Sequence, residues 1–267
     1  FSQHIRNLNI YGYSHIPDFL SKEKLKTARK LVIQNYSKTK DVENIGRPDR
    51  DKLDKVVYNL QNIDVFFISL LGDKFIKSVL MSKLNDPFYR FLPPDVPNYI
   101  LSYYNARSSG LKLDLHLDSY VPNQGEFTWA MQVGFILDDM NEDNGCTVVV
   151  PGSHQSGKYT DRDLKNVKSI IAKAGDVIIW DSRLWHGTKE NSSGASRWAL
   201  IATITQWWVK QSMDIPRGLP DSIYQNLLDE QKALLGFCSI PPVNSNGRIN
   251  TKCGYDFLKP SVKDYFC

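Results

Sequence analysis

His116 and Asp118 stand two residues apart at the end of an alternating run from Lys112 to His116. On a strand such residues face the same side, so both side chains can reach one ion. A second imidazole would complete two nitrogens and one carboxylate on a single face of an octahedron, the donor set that leaves three positions open on Fe(II). His-x-Asp alone is a weak signal, because such a couple is commonly just hydrogen-bonded at a surface. The context strengthens it: the chain holds only five His, and His186 closes the stretch from Gly175 to Thr188, which reads as strand, turn and strand. His154, in the turn Pro151-Gly152-Ser153-His154, is expected at a pocket rim or in a structural hydrogen bond, and His4 and His15 as ordinary surface or packing residues.

Asn191-Ser192-Ser193-Gly194 supplies turn chemistry, and Arg197 opens a further aromatic and β-branched run. A hairpin centred near Asn191 and Ser192 would place Arg197 opposite His186 on the same face. Metal and guanidinium would then share one cavity. That arrangement suits a small dicarboxylate whose 2-oxo-acid end chelates the metal while Arg197 grips the distal carboxylate through a bidentate fork. Gln132 shares strand parity with Gly134 and is expected to point inward; Tyr104, Arg183 and Trp185 are expected to flank the cavity, with Gln132, Tyr104 and Arg183 as candidate substrate contacts.

The elements that must carry these residues are mainly β with flanking helices. Ser21 caps a helical pattern running to about Tyr36, a charged loop follows from Lys38 to Lys55, and two more helical patterns cover Ile63 to Leu71 and Asp73 to Leu84. Pro93, Pro94 and Pro97 stop helix formation. Eight candidate strands then follow: Tyr99 to Asn105, Lys112 to His116, Phe127 to Leu137, Cys146 to Val150, Lys168 to Ile171, Asp176 to Asp181, Leu184 to Thr188 and Arg197 to Val209. Their even spacing predicts a double-stranded β-helix, a jelly-roll of the cupin-like kind. Helix returns at about Pro220 to Leu235, and the tail from Cys238 to Cys267 reads as irregular. The expected organisation is a single domain over 1–267, helical to about 97, jelly-roll from about 98 to 209, and a C-terminal extension from about 210 to 267.

Four blocks in order resemble the phytanoyl-CoA dioxygenase family: Gly12 to Leu20, His116-Leu117-Asp118, Asn144 to His154, and His186 with Arg197, together covering roughly residues 8 to 209. The resemblance implies iron ligation by His116, Asp118 and His186, 2-oxoglutarate held by Arg197, and O2 as the oxidant. It also implies a hydroxyl assisting Arg197 at Thr188 and a co-substrate contact at Ser102. Against the family's human namesake the chain has Gly134 in place of Trp and Leu117 in place of Gln, so the co-substrate pocket is lined differently and an acyl-CoA substrate does not follow from the resemblance. Related halogenases replace the carboxylate ligand with a small residue; the intact Asp118 implies hydroxylation or another oxidation. Two other classes share these residues: a non-oxidative metal-dependent isomerase or hydrolase, and a 2-oxoglutarate-binding sensor without turnover.

Composition narrows the rest. A net charge of +4 with Lys and Arg spread along the chain gives no reason to expect a nucleic-acid partner. The longest apolar runs are too short to span a bilayer and the N-terminus shows no signal pattern, so a cytoplasmic location and no membrane partner are expected. Four Cys without a C-x-x-C pair read as reduced thiols rather than a zinc site. The loops from Arg107 to Lys112, Ser119 to Glu126 and Gln155 to Asp163, with the segment after Lys210, are mixed polar and aromatic, which predicts a modest-sized polar or amphipathic small-molecule substrate. Oligomeric state is not legible.

Overall fold

The computed structural model describes residues 1–43, 55–89, 92–108, 110–119, 121–159, 164–241 and 254–266. In chain order these form α1 (Ser2–Tyr11), β1 (Tyr13–Ile16), α2 (Lys22–Glu43), β2 (Lys55–Val57), α3 (Val65–Leu71), α4 (Lys74–Leu84), β3 (Ile100–Ser108), β4 (Leu113–His116) and β5 (Ala130–Ile136). Then come β6 (Thr147–Val149), β7 (Lys168–Ser169), β8 (Val177–Asp181), β9 (His186–Thr188), β10 (Trp198–Thr205) and the short helices α5 (Ile215–Gly218), α6 (Asp221–Tyr224) and α7 (Asp229–Leu234). The strands make two sheets, one ordered β1-β8-β5-β10-β3-β2 and the other β4-β9-β6-β7.

All eight expected strands form, with ends shifted by a few residues. Two more, β1 and β2, are too short for their periodicity to be read. The helix capped by Ser21, whose hydroxyl accepts the Lys24 N–H at 3.2 Å, runs on to Glu43 instead of stopping near Tyr36. The rest of the expected charged loop, 44–54, lies outside the described residues, as do Cys253 and Cys267. The expected helix from Pro220 to Leu235 is broken into α6 and α7 by the turn after Tyr224. No helix among the described residues is long and apolar enough to cross a membrane.

The chain divides into two compact units, each assembled from two stretches: Phe1–Tyr58 with Asn105–Ala202, and Asn59–Tyr104 with Thr203–Cys267. Residues of β3 and of β10 belong partly to one unit and partly to the other. In the first unit a core of Ile136, Met140, Cys146, Val149, Ile178, Trp180 and neighbours is buried between strands of both sheets. In the second, Asp64 and Asp73 cap α3 and α4 by accepting the N–H groups of Phe66 and Phe75, and Tyr89, Leu92 and Ala233 form a separate core with Trp207 packed against it.

β1 is held to β8 by antiparallel pairing of Tyr13 with Trp180 through Ile16 with Val177. Asp176, at the start of β8, locks this edge. Its buried carboxylate accepts from His15 Nε2 at 2.7 Å, the Asp18 N–H at 2.9 Å and the Lys173 N–H at 2.8 Å. Burial alone would raise its pKa, but these donors outweigh burial and hold it below the ordinary carboxylate value. A folded pKa below the unfolded one stabilises fully above about pH 3.9 and is lost as pH falls through the folded value. Asp176→Ala is therefore expected to cost about 2–4 kcal/mol near neutral pH, since two backbone donors lose their acceptor. Thermal melts across pH should show the wild-type advantage over this variant shrinking below about pH 4.

Candidate metal centre

β4 and β9 run antiparallel with His116 directly opposite His186. Gly187 permits this approach, because a Cβ there would collide with the carbonyl oxygen of Leu113. The two imidazole rings face each other with centroids 4.3 Å apart. His116 Nδ1 donates to the Asp114 carbonyl at 2.9 Å, and His186 Nδ1 donates to the Leu184 carbonyl at 2.9 Å. A carbonyl can only accept, so each Nδ1 must carry the proton and each Nε2 is left as the ligating nitrogen.

Both Nε2 atoms turn to Asp118, which lies 3.7 Å from His116 and 3.3 Å from His186 through separate carboxylate oxygens. One ligand atom from each of the three residues lies within 4.8 Å of the others. Cis ligands at 2.0–2.2 Å from an octahedral ion stand about 3 Å apart, so the set closes on a first-row metal with small movements. Burial disfavours the Asp118 carboxylate, but His186 first, then His116 and Arg107, override it and keep its pKa below the ordinary value. Burial and the neighbouring His186 keep the His116 pKa low, whereas at His186 the pull of burial is overcome by Asp118, which raises it. The site therefore concentrates negative charge beside two nitrogen donors, which a divalent cation satisfies better than a proton.

A cavity opens beside His186 within the first unit. Ile136, Val149, Ile170, Ile178, Ala199 and Ile201 form its apolar walls, and Arg197 also lines it. Arg197 is 4% exposed and, among the described residues, makes no ion pair and donates from its guanidinium to the carbonyls of Asn144 and Gly145. Burial pushes its pKa down to about 10 despite Cys146 and Asp138, yet it stays charged at neutral pH. A buried cation without a counter-ion is costly, and this one faces a cavity that a small anion could fill.

The hairpin expected to bring Arg197 to His186 is not present. β9 belongs to the four-stranded sheet and β10 to the six-stranded one, so the two residues meet across facing sheets. Asn191 redirects the chain: it bridges to Asn144, and its N–H donates to the Gly110 carbonyl rather than closing a ladder with β10. The Arg197 N–H is in turn fixed by the Ser108 hydroxyl at 2.9 Å.

The other candidates are placed as follows. The Thr188 hydroxyl accepts the Leu113 N–H at 3.2 Å and is not in the cavity wall, whereas Thr147, its pairing partner on β6, is. The Ser102 hydroxyl engages the Ser212 hydroxyl at 3.0 Å, and the fully buried Tyr104 ring packs edge-on against Phe67. Both belong to the second unit, while the cavity is lined from the first. Gln132 is buried on β5, two residues from the cavity-lining Gly134. Arg183 forks onto Asp181 at 2.9 and 2.7 Å and also holds the carbonyls of Asn123 and Gly125, so its donors secure the loop after Asp118. His154 is buried against Gly12 and takes no part in the metal group. Sequence reasoning missed Trp180, Tyr13 and Thr147 in the cavity wall; strand parity with Ile178 was the signal for Trp180.

Comparison with known proteins bears on this geometry. The profile of the phytanoyl-CoA dioxygenase family matches residues 8–199, which contain the whole triad and Arg197. The chain belongs to the phytanoyl-CoA dioxygenase family. Among relatives, Dioxygenase af480 of Aspergillus fumigatus is 25% identical over 88% of this chain and 76% of its own length. The uncharacterized protein Rv1501 of Mycobacterium tuberculosis is 33% identical over 112 residues, so the matched part spans 41% of either chain. Solved structures share the fold. The non-heme α-ketoglutarate-dependent carbocyclase SnoK superposes with a TM-score of 0.59 at 17% identity, covering 77% of this chain and 84% of its own. HygX of Streptomyces hygroscopicus, solved with nickel and 2-oxoglutarate, gives 0.58 at 14% identity, covering 79% of this chain and 89% of its own. Phytanoyl-CoA dioxygenase family enzymes use iron, 2-oxoglutarate and O2.

Proposed function

We propose that this protein is an Fe(II)- and 2-oxoglutarate-dependent dioxygenase that hydroxylates a small molecule on a double-stranded β-helix core, releasing succinate and CO2. One observation carries the reading: His186, a member of the two-His, one-carboxylate set, and a buried arginine without an ion-pair partner among the described residues line one largely apolar cavity. In this reading His116, Asp118 and His186 hold the iron, and Arg197 binds the distal carboxylate of 2-oxoglutarate through a charge-assisted fork. The bound iron supplies O2 activation coupled to oxidative decarboxylation of the co-substrate.

The chain's own residues do the positioning. The Asp114 and Leu184 carbonyls fix the two imidazole tautomers, and the apolar walls exclude water from the space between metal and guanidinium. Thr188 and Ser102 are proposed only as indirect supports of the co-substrate site, since their hydroxyls are engaged by Leu113 and Ser212. HygX has been solved with hygromycin B bound, and SnoK serves nogalamycin biosynthesis, which supports a small-molecule substrate on this scaffold.

Purified protein supplied with Fe(II), ascorbate, 2-oxoglutarate and O2 should form succinate, more so with a substrate drawn from pooled amino acids, amino sugars, fatty acids and acyl-CoAs. His116→Ala should reduce succinate by at least about 100-fold, the loss expected when an essential catalytic interaction is removed. Metal-dependent turnover of a substrate without O2 or succinate would instead establish the isomerase or hydrolase reading; 2-oxoglutarate binding without succinate would establish the sensor.

A further inference from the structure

The cavity lined by His186 and Arg197 is also lined by a tryptophan whose indole donor is buried. Trp180 is 8% exposed, and its indole Nε1 is buried with no hydrogen-bond partner among the described residues. An indole N–H can only donate, and leaving such a donor unpaired in the interior costs about 1–3 kcal/mol. Buried polar groups left this way in a folded protein call for a partner that the protein itself does not supply.

The ring occupies this place because position 134 carries no side chain. On the paired strands β5 and β8, Gly134 lies opposite Ile178 and Gln132 opposite Trp180. A Cβ at 134 would stand 3.0 Å from Trp180 Cζ3, 3.4 Å from Ile201 Cδ1 and 3.5 Å from the Ile178 carbonyl oxygen. The indole therefore lies over bare backbone, and it meets the His186 ring edge-on with centroids 5.7 Å apart. It thus stands beside a metal-ligating histidine in the same cavity as an unpaired guanidinium. Among the described residues no carboxylate contributes to the wall; its polar members are Arg197, Trp180, His186, Tyr13 and Thr147, of which Arg197 carries the fixed positive charge.

We infer that Trp180 is a positioning residue for the co-substrate, its indole N–H donating to a carboxylate oxygen of 2-oxoglutarate, with Gly134 providing the space that admits the ring. The inference rests on the co-substrate reading of the cavity given above. A purely space-filling Trp predicts that losing the N–H while keeping an aromatic ring changes nothing at the ligand.

Calorimetric titration of 2-oxoglutarate into Ni(II)-loaded protein, wild type and Trp180→Phe, separates these. A hydrogen bond to a charged group is worth about 1.5–3 kcal/mol, so Trp180→Phe should weaken 2-oxoglutarate binding by about 10- to 100-fold. Ni(II) affinity and melting temperature should change little. In Zn(II)-loaded, 15N-labelled wild type, the indole resonance that is absent from Trp180→Phe should move downfield when 2-oxoglutarate is added. Equal affinities with an unmoved indole resonance would overturn the role of Trp180 while leaving the co-substrate reading intact; wild type that binds Ni(II) but not 2-oxoglutarate would overturn that reading itself. Should Trp180→Phe fail to fold, the wild-type indole resonance, assigned by elimination through Phe substitution of the other tryptophans, decides the matter alone.

Discussion

Arg197→Leu is expected to weaken 2-oxoglutarate binding by about 100-fold or more while leaving the fold in place. Truncating one partner of a buried charge pair costs about 2–5 kcal/mol in binding, because the other charge is left without its counterpart. Among the described residues Arg197 has no carboxylate ion-pair partner, so in the proposed reading the carboxylate that completes the pair comes with the ligand. Stability should respond quite differently. The variant loses two hydrogen bonds to the Asn144 and Gly145 carbonyls, but it also removes an uncompensated buried cation, and the two effects offset to within about 2 kcal/mol. Paired calorimetry of 2-oxoglutarate binding and of thermal unfolding checks both halves. A large fall in stability with unchanged 2-oxoglutarate affinity would make Arg197 structural.

Arg183→Met is expected to do the reverse, destabilising the protein by about 3–5 kcal/mol by stranding a buried carboxylate. Asp181 is 4% exposed and depends on Arg183 Nε and Nη2, with further donors from the Arg183 N–H and the Thr128 hydroxyl at 2.8 Å. The same guanidinium holds the Asn123 and Gly125 carbonyls, so its loss also frees the loop that follows the ligand Asp118. For a chain of this size the melting temperature should fall by about 10 °C, and metal affinity should fall with it. Pairing the change with Asp181→Asn should recover part of the stability, because the stranded charge is then gone. Failure of the double variant to recover any would mean that Arg183 acts through packing rather than charge.

These two arginines show how far the sequence could be read. The two-residue spacing of His116 and Asp118 pointed to one group although β4 ends at His116 and Asp118 lies beyond it, and the scarcity of His pointed to His186. The nearness of Arg197 to His186 was legible, although through the wrong connection: turn residues at Asn191 to Gly194 suit a tight hairpin, and only the contacts of Asn191 with Asn144 and Gly110 show that the chain crosses to the other sheet. Arg183 is two residues from Asp181 and near the site, but whether its donors are free or consumed depends on carbonyls about 60 residues away.

The remaining gaps have similar causes. β1 and β2, of four and three residues, carry too little pattern to be distinguished from loop. α2 continues past Tyr36 through polar residues that resemble a solvated loop, and Ser37 there returns its hydroxyl to the Ile33 carbonyl at 2.9 Å within the helix. Ser102 is implied by the family resemblance and Tyr104 by an expected place beside the cavity, and neither signal carries their packing partners Ser212 and Phe67. Trp180 was hidden because an aromatic in an apolar strand is ordinarily core; its significance lies in a donor left unpaired beside a glycine.

The most direct test of the central claim is the visible absorption of the anaerobic Fe(II)-loaded protein as 2-oxoglutarate is added. Chelation of a 2-oxo acid by iron held on His116, Asp118 and His186 should produce a charge-transfer band that saturates with 2-oxoglutarate. The band should be absent in His186→Ala and should require far more 2-oxoglutarate in Arg197→Leu. Wild-type protein that binds Fe(II) at this site yet develops no such band at saturating 2-oxoglutarate would contradict the account.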